Sequence, residues 1–256
     1  MDRIATIARY TALEALRTRL PILLIAALAL TLCAAFFVSG LAVIEGSRFL
    51  TSFYAAASRL AVVFIVAAHV LASLCREFDD KGLDVFLALD LPRSHYILGK
   101  IAGYVLIAMC AAILASLPLL VMSVPTVACV QWLLALALEL AVVAAFALFC
   151  AMAFGQFSPA AALTFAFYLL ARSLTAIQLI SAHPLSGADT LTSQLGRWAA
   201  DTLALVMPAL DRWPQTAWLI DAPLPWGAHT MLLLQGALYV ALLTGAAMVD
   251  FQRRNF

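Results

Sequence analysis

Residues 75–100 read CREFDDKGLDVFLALDLPRSHYILGK, and nine of these side chains are charged in a chain with only 15 basic and 14 acidic residues. Long apolar runs lie on both sides of this stretch. An ionised side chain costs at least ~2.5–3.5 kcal/mol at the centre of a bilayer. The charged stretch therefore belongs in water at a membrane face, and the apolar runs on either side are predicted to enter the membrane.

The composition agrees with a membrane protein. Hydrophobic residues make up 65% of the chain, charged residues make up 11%, and the mean hydropathy is +1.03. Soluble domains average roughly 45–50% apolar and ~25% charged residues. The net charge is only +1, and no block of Lys or Arg is present, so nucleic acid is not expected as a partner.

Six apolar runs are close to or longer than the ~20 residues that a helix needs to cross ~30 Å of hydrocarbon. The sequence therefore predicts an all-α, polytopic membrane protein that forms a single transmembrane domain over residues 1–256. The expected spans are about 21–42, 53–75, 97–121, 127–154, 159–181 and 226–249. The run from 97 is expected to end around Pro118 and Pro125, and the uncharged stretch from Gly155 to Pro159 is expected to turn the chain.

Two further segments are predicted to lie at the membrane surface. In residues 1–20, apolar side chains alternate with Arg3, Arg9, Arg17 and Arg19, which is typical of an interfacial helix, although an ordinary basic flank is an equal alternative. Residues 190–225 carry an amphipathic helical pattern that includes Trp198 and Leu203, followed by a stretch rich in Trp, Pro and Asp. This composition predicts a shallow helical hairpin at the outer interface.

The distribution of basic residues predicts the orientation. Ten Lys and Arg side chains fall on the face that holds both termini and residues 76–96, and three fall on the other face. Basic residues are retained in the cytoplasm. Both termini and the 76–96 loop are therefore expected to be cytoplasmic.

The sequence offers little for catalysis or metal binding. The five cysteines lie in or beside apolar runs without metal-ligand spacing, and no GxxxxGK[ST] loop is present, so the chain is expected to bind no metal and no ATP. Asp79, Asp80 and Asp84 resemble part of the aspartate-rich magnesium site of membrane prenyltransferases, but those enzymes have two such clusters. An enzyme of that kind stays an alternative.

Two charges fall in the middle third of apolar runs, Glu139 in the fourth and Arg172 in the fifth. Ionisable groups at this depth are functional candidates by default. A structural ion pair between these two residues is the favoured interpretation, and Arg59 is a competing partner for Glu139.

The order of features resembles the type-2 ATP-binding-cassette permeases of bacterial exporters over essentially the whole chain. The features are the basic N-terminal helix, six spans, the loop pattern RE-x₄-GL-x₈-PRS-x₄-GK, the PALDRW segment before the last span and the terminal FQRRNF. The start TIARYTALEALRTRL is most similar to permeases grouped with multicopper-enzyme maturation transporters. The absence of a sizeable outer domain departs from larger relatives.

The resemblance implies an exporter subunit of the bacterial inner membrane. It dimerises with a second permease copy, homomeric or heteromeric, and docks a separate cytoplasmic ATPase that holds ATP and magnesium. The docking element is a coupling helix within Asp79 to Leu91, and the candidate docking residues are Glu77, Asp80, Gly82, Leu83, Phe86, Leu87 and Leu89. Besides the magnesium enzyme, a membrane anchor without transport activity stays an alternative.

Overall fold

The computed structural model describes residues 2–41, 45–79, 93–182, 198, 200–203 and 207–253. Within these ranges the regular structure is helical, and no strand occurs. The helices are α1 (Asp2–Arg17), α2 (Leu20–Leu41), α3 (Gly46–Asp79), α4 (Arg93–Val121), α5 (Thr126–Phe154), α6 (Phe157–Ala182), α7 (Ala217–Ile220) and α8 (Trp226–Arg253). Residues 210–212 form a 3₁₀ turn, and the described residues of 198–203 are helical.

Six of these helices, α2 to α6 and α8, are long and apolar enough to cross a membrane. The predictions of an all-α chain and of six spans are confirmed to that extent. The chain is a multi-pass membrane protein.

Several helices extend beyond the predicted spans. The second span was predicted at 53–75, but α3 runs from Gly46 to Asp79, and α4 begins four residues before the predicted 97. Polar ends that leave the hydrocarbon can remain helical in water, so hydropathy marks only the apolar part of such a helix. Pro118 lies inside α4, and the helix continues for less than a turn beyond it. Proline has no backbone N–H, so the carbonyl of Leu114 lacks the donor that another residue at position 118 would supply.

Three described residues between successive spans have a left-handed backbone: Glu45 (φ 60°) just before α3, Ser123 (φ 61°) between α4 and α5, and Gly155 (φ 66°) between α5 and α6. Gly155 caps α5, and its N–H donates to the carbonyl of Ala151 at 2.9 Å. Glycine adopts this conformation without the steric penalty of a Cβ. The chain therefore turns where predicted, but the turn is shorter than 155–159, because α6 starts at Phe157.

The bundle is built around α5, which packs against α3, α4, α6 and α8. Small side chains make this possible, because a helix with many alanines lets its neighbours approach closely. The buried alanines of α5 include Ala141, Ala144, Ala145, Ala147 and Ala151. In contrast, α2 and α8 lie at the periphery and have few buried residues.

We call the end of the bundle where residues 80–92 connect α3 to α4 the loop end, and the opposite end the far end. The helix α1 packs along the loop end of α4. At Gly99 a Cβ would lie 2.6 Å from Cβ of Ile7, and at Gly103 a Cβ would lie 2.6 Å from Cβ of Thr11. Each distance is too short for a real side chain, so the two glycines let α1 lie directly on the backbone of α4.

Candidate functional site

The buried charge cluster consists of Arg59 on α3, Glu139 on α5 and Arg172 on α6. Arg59 and Glu139 are each thirteen residues from the far end of their helix, which corresponds to about 20 Å. Because α3 and α6 both pack against α5, the three side chains meet inside the bundle. Glu139 is completely buried, and Arg59 is 6% exposed.

Glu139 and Arg172 are brought together as their depth in the sequence suggested. Arg172 Nη1 lies 3.8 Å from Glu139 Oε1, which is within ion-pair distance but too long for a hydrogen bond. Neither carboxylate oxygen of Glu139 accepts a hydrogen bond from the residues that the structure describes. The carboxylate is thus held by the charges of Arg59 and Arg172, and the hydroxyl of Tyr168 also lies close to it.

Both arginines also bind the backbone of the segment that precedes α8, here called the 207–225 segment. Arg172 Nη1 donates to the carbonyl oxygen of Leu210 at 2.5 Å, and Arg59 Nη1 donates to the carbonyl oxygen of Pro214 at 2.8 Å. A carbonyl buried without a donor is costly, so these bonds hold the 207–225 segment against the bundle. The sequence predicts only a carboxylate as the partner of each arginine.

Two more contacts fix the 207–225 segment. The buried Gln131 side chain donates to the carbonyl oxygen of Leu224 at 2.7 Å and accepts from the N–H of Leu224 at 3.0 Å. Nearer the surface, Arg48 Nη2 lies 3.0 Å from Asp221 Oδ1. Neither contact was predicted, although a glutamine within an apolar run is a signal that a buried polar partner exists.

Aromatic burial completes this attachment. Trp213 is almost completely buried, and a Cβ on Gly236 of α8 would lie 2.8 Å from Trp213 Cη2. The predicted Trp-rich stretch is therefore packed partly into the bundle. In the preceding piece, Trp198 and Leu203 are exposed while Ala200 is buried, so the predicted apolar face points away from the bundle.

A second cluster lies at the loop end, where three helices meet. This loop-base cluster consists of Glu14 on α1, Ser73 and Glu77 on α3, and Tyr96 and Lys100 on α4. The ammonium group of Lys100 pairs with Glu77 and lies 3.9 Å from Glu14 Oε2. Tyr96 donates its hydroxyl to Glu77, and Ser73 donates to Glu14 at 2.9 Å.

The charges of the loop-base cluster depend on one another because Lys100 is buried. Only 5% of the Lys100 side chain is exposed, and a buried ammonium requires carboxylate partners. The ring of Tyr96 also stacks on Phe251 near the end of α8, with centroids 6.1 Å apart. The ends of α1, α3, α4 and α8 are therefore connected where residues 80–92 begin and end.

The predicted docking residues fall mostly outside the described residues, namely Asp80, Gly82, Leu83, Phe86, Leu87 and Leu89. Glu77 is described, and its carboxylate points into the loop-base cluster. A contact of Glu77 with a partner protein stays a prediction.

The aspartates of the alternative magnesium site are described only in part. Asp79 is exposed at the end of α3, whereas Asp80 and Asp84 lie outside the described ranges. Within those ranges, no three His, Cys, Asp or Glu side chains are grouped so that they could hold a metal ion. The chemistry of both described clusters is charge pairing and hydrogen bonding.

No protein-family model matches the sequence, and no curated protein matches it significantly.

Proposed function

We propose that this chain is the membrane permease subunit of an ATP-binding-cassette exporter. The observation that carries the proposal is the loop-base cluster, which connects both ends of the 80–92 loop to α1 and α8. A loop that receives force from a partner needs such a connection, because force on an unattached loop would be lost in local motion. Six apolar helices and the resemblance in feature order also support the proposal.

In this proposal, a separate cytoplasmic ATPase binds ATP and magnesium, and the permease binds neither. The coupling helix within Asp79 to Leu91 inserts the apolar side chains of Leu83, Phe86, Leu87 and Leu89 into a groove of that partner. ATP hydrolysis moves the coupling helix. Because Glu77 and Lys100 join α3 to α4, both helices move with it as rigid bodies and open the translocation path on one side.

The remaining parts of the proposal concern placement and assembly. Residues 1–256 form a single transmembrane domain in the bacterial inner membrane, with both termini cytoplasmic, and pair with a second permease copy. The helix α1 lies in the cytoplasmic interface, where Tyr10 and Leu16, which are exposed to 70% and 66%, would contact lipid. The 207–225 segment belongs to a helical hairpin that dips into the outer leaflet.

The proposal is tested by the substitution Phe86→Asp. A charge in a desolvated groove commonly costs several kcal/mol of binding free energy, so the partner ATPase should no longer co-purify, while the permease still inserts. Gln252→Asp is the matched control, because it adds the same charge at an exposed position at the end of α8. It should leave co-purification unchanged.

Three outcomes would contradict the proposal. Retention of the ATPase by Phe86→Asp, with unchanged transport, would remove the loop from docking. Metal-dependent turnover by the purified chain alone, lost in Asp80→Asn, would favour the magnesium enzyme. Stable capture of a cytoplasmic protein without nucleotide hydrolysis would favour the membrane anchor.

A further inference from the structure

A groove opens at the loop end between the α1–α2 junction, α3 and α6. It has a volume of about 680 Å³. Its two ends differ in chemistry: three arginines stand at one end, and aliphatic and aromatic side chains line the other. The groove is separate from both the buried charge cluster and the loop-base cluster.

The polar end is formed by Arg17, Arg19 and Arg76, and all three residues are exposed. Arg76 Nε donates to the carbonyl oxygen of Ala72 in its own helix. In the part of the chain that the structure describes, none of the three lies within ion-pair distance of a carboxylate. This end therefore concentrates positive charge at the edge of the apolar spans.

Most of the remaining lining is apolar: Leu20 and Leu23 of α2 follow directly from Arg19, and Phe64 and Ile65 of α3 and Phe165 of α6 line the end away from the arginines. The rings of Phe64 and Phe165 lie 4.8 Å apart and close this end. Arg76 and Phe64 are twelve residues apart on α3, which corresponds to about 18 Å along the helix. This length is close to half of the ~30 Å hydrocarbon core.

We propose that the groove binds an anionic phospholipid from the leaflet at the loop end. Guanidinium groups bind phosphate through paired N–H donors, and basic pockets between spanning helices at this level are suited to anionic headgroups. One acyl chain would lie along Leu23, Ile65 and Phe165 and end near Phe64. The charge of the three arginines selects an anionic headgroup over a zwitterionic one.

The experiment is a titration of the purified full-length chain in mild detergent, with bound lipid counted by native mass spectrometry. The probes are phosphatidylglycerol, phosphatidylcholine and soluble glycerol phosphate, which supplies the phosphate without acyl chains. We expect phosphatidylglycerol to bind, and the other two to bind at least tenfold more weakly. Each of Arg17→Gln, Arg19→Gln and Arg76→Gln should weaken binding about fivefold, equivalent to ~1 kcal/mol per arginine.

Two further variants separate lipid binding from general effects. Arg9→Gln is the charge-matched control, because Arg9 is exposed on α1 but does not line the groove, and it should bind as the unmodified chain does. Ala68→Trp keeps all three arginines and fills the apolar half, and it should also lose phosphatidylglycerol. Every variant is first checked for an unchanged elution profile.

The proposal is overturned if a variant that combines Arg17→Gln, Arg19→Gln and Arg76→Gln binds phosphatidylglycerol as tightly as the unmodified chain does. Equal binding of phosphatidylcholine would likewise overturn it, because the arginines would then not select the headgroup. If glycerol phosphate binds as tightly as the lipid and Ala68→Trp has no effect, the site is one for a soluble phosphate, and the lipid proposal is wrong.

Discussion

At the scale of single residues, Glu139 lies between two arginines that also hold the 207–225 segment. Removing a carboxylate from water costs several kcal/mol even after relaxation, and Glu139 is completely buried. Its stabilisation comes from Arg172 at 3.8 Å and from the nearby Arg59. Since each arginine also binds a backbone carbonyl, loss of either arginine should also weaken the attachment of the 207–225 segment.

The first prediction compares Glu139→Gln, Arg172→Met and the double variant. Arg172→Met strands the carboxylate of Glu139 and removes the donor to Leu210, so it should cost about 3–5 kcal/mol of unfolding free energy. Glu139→Gln should cost less, because both arginines keep their carbonyl bonds. The double variant should recover the charge contribution but still lack the Leu210 bond, which leaves a deficit of about 1–3 kcal/mol.

The measurement is the folded fraction during a titration with SDS in mixed micelles. Arg48→Met is the control, because its pairing with Asp221 is exposed and should contribute less than about 1 kcal/mol. If the two single effects simply add in the double variant, Glu139 and Arg172 are not energetically coupled. If the double variant folds well and still transports, the pair of Glu139 and Arg172 contributes to packing and is not needed for transport.

The residue-level arrangement could be predicted only in part. Counting residues along each apolar run placed Glu139 and Arg172 at a similar depth, and the structure brings them together. The bonds to Leu210 and Pro214 could not be predicted, because a backbone carbonyl carries no signature in the sequence. The two hydrogen bonds between the Gln131 side chain and the Leu224 backbone could not be predicted for the same reason.

At the scale of helices, α1 lies against α4 through two glycines one turn apart. The stretch Gly99-Lys-Ile-Ala-Gly103 presents a flat strip of backbone, a pattern that favours close helix packing in membranes. The facing positions on α1 are small or partly buried, with Ala8, Thr11 and Ala15 buried. Leu13 and Leu16, on other sides of α1, remain exposed.

The second prediction concerns this contact. Gly103→Val should force α1 away from α4, because its Cβ alone would lie 2.6 Å from Cβ of Thr11. Overpacking of this kind typically costs about 1–3 kcal/mol. We expect a lower midpoint of thermal unfolding in detergent. Trypsin should also cleave faster after Arg9, because a helix that no longer packs on α4 unfolds locally more often.

The control is Gly245→Val on α8, where an added Cβ would meet no packing neighbour within 4 Å among the described residues. This variant also replaces a helical glycine with valine, but it should not change trypsin cleavage at Arg9. Equal protection of α1 in Gly103→Val and in the unmodified chain would mean that the glycine contact does not hold α1.

The helices themselves could be predicted well, because the apolar runs of this chain are long. The ends of the helices could not be predicted, because the backbone stays helical beyond the last apolar residues. Ser47 and Glu77, near the two ends of α3, are examples. The packing of α1 on α4 was also missed. The apolar pattern of residues 1–20 suggested contact with lipid and did not reveal that Ile7 and Ala8 face another helix.

At the scale of the whole molecule, α3 connects the two clusters. Glu77 belongs to the loop-base cluster and Arg59 to the buried charge cluster, and eighteen residues separate them, or about 27 Å of helix. A rigid shift of α3 would therefore change both the base of the 80–92 loop and the attachment of the 207–225 segment. In the proposed transporter, this helix carries the motion between the ATPase and the far end.

The last prediction concerns which end of the bundle faces the cytoplasm. Single cysteines are introduced at Asp201 and Asp79, both exposed, in a background without the five native cysteines. Basic residues concentrate at the loop end, so this end should be cytoplasmic, and an impermeant maleimide added to intact cells should label Asp201→Cys only. After lysis it should label both equally, which controls for reactivity. Labelling of Asp79→Cys alone in intact cells would invert the orientation and exclude docking of a cytoplasmic ATPase on the 80–92 loop, and equal labelling before lysis would exclude six spans.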